Sequence, residues 1–105
     1  MSSTREYLDF ILDQLSECEE ISFRAMFGEY VIYYRSKVIG GIYDDRFLVK
    51  NTKSARAVMP EAELEIPYEG AKEMILVDEP ENREIMKDLL NALYADLPPA
   101  KKKKS

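Results

Sequence analysis

The groups in this chain that could do chemistry are few. They are the adjacent carboxylates Asp44-Asp45, the glutamates Glu17, Glu19 and Glu20, the thiol of Cys18, the pair Gly40-Gly41, and phenols interleaved with arginines from Arg24 to Arg46. Paired carboxylates can divide acid and base roles, but Asp44-Asp45 lies between two strand-like segments, where aspartate side chains bond nearby N–H groups and make the turn. Glu17 and Glu19 are two positions apart and so do not share a helical face as a hard cation would require. Cys18 continues an apolar stripe and reads as a small core hydrophobe. With no histidine anywhere, Ser-His-Asp and Cys-His catalysis and the common zinc sites lack their partners. Gly40-Gly41 is followed by no Gly-Lys-Ser or Gly-Lys-Thr sequence and no helix, so it marks a bulge or a close backbone approach and not a phosphate loop. The residues therefore assign no catalytic group, no cofactor and no metal, and the chain is expected not to be an enzyme.

Basic and aromatic residues are left as candidates for binding. The formal charge of −5 is unevenly spread: residues 1–23 hold one basic and six acidic groups, residues 24–56 seven and three, residues 57–100 three and eleven, and four lysines occupy 101–104. The candidate partner-binding set is Arg24, Phe27, Tyr30, Arg35, Lys37, Arg46, Lys50, Lys53 and Arg56. Its cations could meet phosphate, and its rings could stack on bases, yet the acidic remainder of the chain would repel a long polyanion, which favours a protein partner over nucleic acid. Strand alternation sends Tyr30 and Tyr34 to one sheet face and Phe27 and Tyr33 to the other, so one set enters the core.

The elements that must position these groups follow from periodicity. Ser3 and Glu6 fit a capping box, and Leu8, Ile11, Leu12, Leu15 and Cys18 form one helical stripe. Residues 26–34 are aromatic and β-branched and predict one long strand. Tight turns at 35–37 and 44–45 separate it from strands at 38–43 and 46–50, an antiparallel meander. Asn51-Thr52 caps a short helix through Val58. Residues 64–68, holding Pro67, predict an edge strand that could pair with a second copy, and residues 74–77 predict a strand after a turn at Gly70. Asp78, Pro80 and Glu81 announce a last helix with the stripe Ile85, Met86, Leu89, Leu90, Leu93 and Leu97. The expectation is an α+β, two-layer α-β3-α-β2-α domain over residues 1–97, its antiparallel sheet covered by helices, and a disordered lysine tail at 98–105. No membrane-spanning run or signal peptide is read, which predicts a cytoplasmic protein, monomer or homodimer.

Arg24-Ala25-Met26-Phe27-Gly28-Glu29-Tyr30, followed by two hairpins and Asp44-Asp45-Arg46-Phe47-Leu48-Val49-Lys50, resembles the TfoX/Sxy N-terminal domain family of bacterial competence regulators. The resemblance spans residues 5–97. It implies a secretion-chaperone-like fold and a role as transcriptional coregulator beside a transcription factor such as the cAMP receptor protein, and it supplies no catalytic residue.

Overall fold

A computed structural model describes residues 4–26 and 28–97. Ser3, Phe27 and the lysine tail, on all of which expectations rested, lie outside the described residues. The elements in chain order are α1 (Arg5–Gln14), β1 (Ile21–Met26), β2 (Glu29–Tyr34), β3 (Lys37–Ile42), β4 (Phe47–Val49), α2 (Lys53–Val58), β5 (Leu64–Glu65), β6 (Met74–Leu76) and α3 (Arg83–Asp96). The strands form one antiparallel sheet in the order β1-β2-β3-β4-β6-β5. The fold is α+β as expected, with four strands before α2 where three were read.

The extra strand is β1, which lies ahead of the segment read as one strand and shares only Met26 with it. Met26 pairs with Glu29, so the chain reverses through a two-residue connection, and Gly28 sits there at φ 81°. The next two reversals have the same form. Arg35 and Ser36 at φ 51° and 71°, then Asp44 and Asp45 at 56° and 57°, give the left-handed turns whose twist matches the flanking strands. Aspartate and asparagine tolerate that region better than most residues, so the Asp-Asp pair suits its turn. Asp45 also accepts from the Thr4 backbone N–H at 2.8 Å and from the Thr4 hydroxyl at 3.2 Å, which ties the start of α1 to the β3–β4 turn.

Two helix starts differ from expectation. Thr4 caps α1, its hydroxyl accepting the Tyr7 N–H at 3.1 Å. For α3 the cap is Asn82, which accepts the Ile85 N–H, and not Asp78. The Val77 N–H is still bonded to the Phe47 carbonyl, which keeps the chain extended beyond β6, and a turn closed by Asn82 N–H on Glu79 C=O then intervenes. Thr52 caps α2 as read.

The core lies between the helices and one sheet face. Leu8, Ile11 and Leu15, with Met86, Leu89, Leu90 and Leu93, meet Ile32, Ile39, Ile42, Phe47, Val49 and Ile75, all essentially without exposure. Each such side chain contributes about 1.5–3 kcal/mol by leaving water. Close approach explains both central glycines. The register slips between Ile32 and Tyr33 against β3, and a Cβ at Gly40 would collide with the Leu48 carbonyl and lie 2.7 Å from Val49 Cα. At Gly41 it would meet the Tyr43 hydroxyl at 2.9 Å, because the Tyr43 ring lies over that position.

Candidate interaction face

Residues directly opposite in a ladder share a face, and alternation along each strand fixes which face that is. Ile32 and Tyr34 enter the helix-side core, and Tyr30 packs against it. Val31, Tyr33, Tyr43 and Leu48 therefore belong to the other face, together with Arg24 and Met26 of β1. No described helix covers that face: all the buried helix residues belong to the one core cluster. It is partly roofed by the segment between β5 and β6, which brings the Tyr68 ring to 6.0 Å from that of Tyr43. Leu48, opposite Gly41 and Leu76, is wholly buried there although it stands outside the helix-side core cluster.

The roof leaves two hollows on either side of the tyrosine pair. One, of about 420 Å³, is lined by Val31, Val38, Gly40, Tyr43, Tyr68, Ala71 and Met74, with Lys50, Lys72 and Glu73 also along it. The other, of about 510 Å³, is formed by Met26, Glu29, Val31, Tyr43 and Tyr68. Val31, Tyr43 and Tyr68 line both, which makes one continuous apolar groove across the strands. Tyr68 is 62% exposed and Met26 40%, and the two line the same hollow. Burial pushes the Tyr43 phenol above its ordinary pKa, with Tyr68 and Glu29 adding to the effect, so this hydroxyl stays protonated in the neutral range. A neutral ring floor with charged groups along its edges can seat an apolar side chain and orient the polar groups beside it.

Of the nine residues singled out from the sequence, the eight that are described do not form one patch. Arg24 and Lys50 stand exposed on the helix-free face. Arg46 shares the face but is held by the Glu65 carboxylate and by the Tyr43 carbonyl, to which its Nε donates at 3.1 Å. Lys37 closes the end of α3, its ammonium donating to the Tyr94 and Leu97 carbonyls at 2.8 Å each and lying 3.8 Å from the Tyr94 ring centre. Arg35 sits over the Tyr34 and Tyr94 rings at 5.2 and 5.6 Å. Tyr30 turns to the helix side and meets Phe23 edge-on at 6.0 Å. Lys53 and Arg56 are exposed on α2, in the helix layer, and Phe27 lies outside the described residues. Tyr68, Val38 and Met74 were not singled out. The clue in the sequence was Tyr68 itself, an aromatic set between Pro67 and Gly70 where a turn-rich segment gives it no core to enter.

The other candidate chemical groups hold structural positions. Cys18 packs against the core, and burial raises its thiol pKa, with Glu17 adding and Lys87 opposing. The Asp96 carboxylate accepts from the Ser54 backbone N–H at 2.8 Å and from its hydroxyl at 3.0 Å, and these bonds lower its pKa and join α3 to the first turn of α2. Among the described residues no group of three or more His, Cys, Asp or Glu is placed to hold a metal ion, and no helix is long and apolar enough to cross a membrane.

Comparison with known proteins agrees with the motif that the β1–β2 hairpin carries. No solved structure matches the chain. A curated relative from Spirochaeta aurantia, described as an uncharacterized 12.7 kDa protein in the trpE 5′ region, is 34% identical over 106 residues, covering 100% of this chain and 92% of its own length. The family model of the TfoX N-terminal domain matches residues 13–94, from the end of α1 through nearly all of α3. The chain belongs to the TfoX N-terminal domain family.

Proposed function

We propose that this chain is a non-enzymatic interaction module of the competence-regulator type, and that it engages a protein partner through the helix-free face of its sheet. One observation carries the reading: the groove lined by Val31, Tyr43 and Tyr68 crosses a sheet face that the described helices leave open. Tyrosine and methionine are enriched at protein interfaces, tyrosine because it presents rigid apolar area at low entropic cost and methionine because its flexible thioether adapts to a partner, and seated tyrosines are among the residues that carry most of the energy. Arg24, Lys50 and Lys72 favour a partner segment with acidic residues beside its apolar anchor, while Glu29 and Glu73 discourage a continuous phosphate backbone.

The family suggests a transcription factor as the partner, and the cAMP receptor protein is the one to try first. Immobilised cAMP receptor protein, saturated with cAMP, is titrated with the wild-type chain and with Tyr68→Ala and Val31→Lys. Saturable binding weakened about tenfold or more by each variant, with folding intact, supports the reading. Binding of labelled duplex DNA alone, falling steeply with salt and indifferent to both variants, would replace it with direct nucleic-acid binding.

A further inference from the structure

The sheet has two edges, and they are built differently. β5 is two residues long and is followed closely by Pro67, features that blunt an edge. β1 is six residues of sequence Ile-Ser-Phe-Arg-Ala-Met, with no proline, a single charge and five exposed positions, and among the described strands it pairs with β2 alone. The backbone polarity of this edge can be read from its neighbours. Lys37 and Tyr34 close a two-residue hairpin, so Tyr34 bonds toward β3, while the Arg35 N–H bonds back to the Glu20 carbonyl at 3.0 Å. Alternation then turns the N–H and C=O groups of Ile21, Phe23 and Ala25 outward from the sheet.

We propose that β1 is a homodimerisation edge, pairing antiparallel with β1 of a second copy about a twofold axis at Phe23. This register puts Phe23 opposite the second copy's Phe23 and Ile21 opposite its Ala25, all of them positions whose polar groups point outward. Six hydrogen bonds then join two six-stranded sheets into one. Sliding the register by two residues, to centre on Arg24, sets two like charges face to face and is disfavoured. In the Phe23-centred register Arg24 stands opposite Ser22 of the second copy instead of directly facing a second arginine. A hollow of about 560 Å³ beside the edge, lined by Leu12, Leu15, Cys18, Ile21 and Phe23, offers apolar surface to the second copy's Phe23, which is 36% exposed in the single chain. Outward bonding groups and an apolar receiving surface thus coincide on one strand, whose Met26 end also lines the groove beside Tyr43.

The test is the mass of the full chain in solution by sedimentation equilibrium across concentration. A reversible species of twice 12.2 kDa is expected. Ala25→Pro removes one outward N–H from each copy without touching the β1–β2 ladder, and is expected to raise the dimer dissociation constant about tenfold or more while far-UV circular dichroism is unchanged. If that variant does not fold, Phe23→Cys in a Cys18→Ser background decides the matter, because the opposed pair, with Cα atoms about 5.5 Å apart, is within reach of a short bismaleimide, which should give a covalent dimer. A mass of 12.2 kDa at every concentration would overturn the proposal. So would a dimer that Ala25→Pro leaves intact, or a Phe23→Cys chain that the bismaleimide leaves unlinked.

Discussion

Replacing Lys37 by methionine separates a structural cation from a binding one. The Lys37 ammonium donates to two carbonyls at the end of α3, both at 2.8 Å, and sits 3.8 Å from the Tyr94 ring centre. A hydrogen bond to a charged group contributes about 1.5–3 kcal/mol when well shielded, a cation at a helix C-terminus about 0.3–1, and an exposed cation–π contact about 0.5–1. Those contributions overlap, and here the site is half-buried, so water takes over part of the bonding to the carbonyls. Methionine keeps the aliphatic stem. The net loss should be about 2 kcal/mol, which in a domain of this size lowers Tm by roughly 8–16 °C. Urea unfolding followed by circular dichroism measures it, with Lys50→Met as the comparison. Lys50 is exposed beside the groove, and its replacement should change stability by less than about 0.5 kcal/mol while weakening partner binding. If the two variants proved equally stable to within about 0.5 kcal/mol, the helix-closing role of Lys37 would be wrong.

Other perturbations probe the remaining joints. Gly40→Ala forces a Cβ into the β4 backbone and should cost about 3 kcal/mol in chemical unfolding, and a neutral result would contradict the close β3–β4 approach. Asp45→Ala loses both the left-handed turn preference and the two bonds from Thr4, and should cost about 1–2 kcal/mol, whereas Asp45→Asn, which keeps an acceptor and tolerates the turn, should stay within about 0.5. The lowered Asp96 pKa means that its contribution is fully present above the ordinary aspartate range and is lost as pH falls through the folded value. The stability gap between wild type and Asp96→Asn should therefore close in acid, and a gap that stayed constant down to the acid transition would show that the Ser54 bonds do not depend on the carboxylate's charge.

Much of the architecture was legible because burial writes a period into the chain. Leu8, Ile11 and Leu15, and Met86, Leu89, Leu90 and Leu93, are buried as the helical spacing required. Alternation also separated Tyr30 and Tyr34 from Tyr33. The β1–β2 reversal was hidden because residues 26–34 read as one strand-forming run, broken only by Gly28, and a lone glycine in a strand also fits a bulge. The start of α3 was read at Asp78, but Asn82 is an equally good cap, and it lies clear of the ladder that Val77 makes with Phe47. The groove was least legible. Its lining joins Val31 and Tyr43 of the sheet to Tyr68 above them, which meet only through the strand order and the path of the β5–β6 segment. Lys37 and Arg46 had the composition of binding residues, and only three-dimensional neighbours show that carbonyls and Glu65 already hold them.

The most direct measurement is amide chemical-shift mapping of the labelled chain on addition of cAMP receptor protein. The account predicts perturbations concentrated at Val31, Val38, Tyr43, Lys50, Tyr68 and Met74, around the groove on the helix-free face. Shifts confined to Lys53, Arg56 and the outer surfaces of α2 and α3, with that face unmoved, would contradict it.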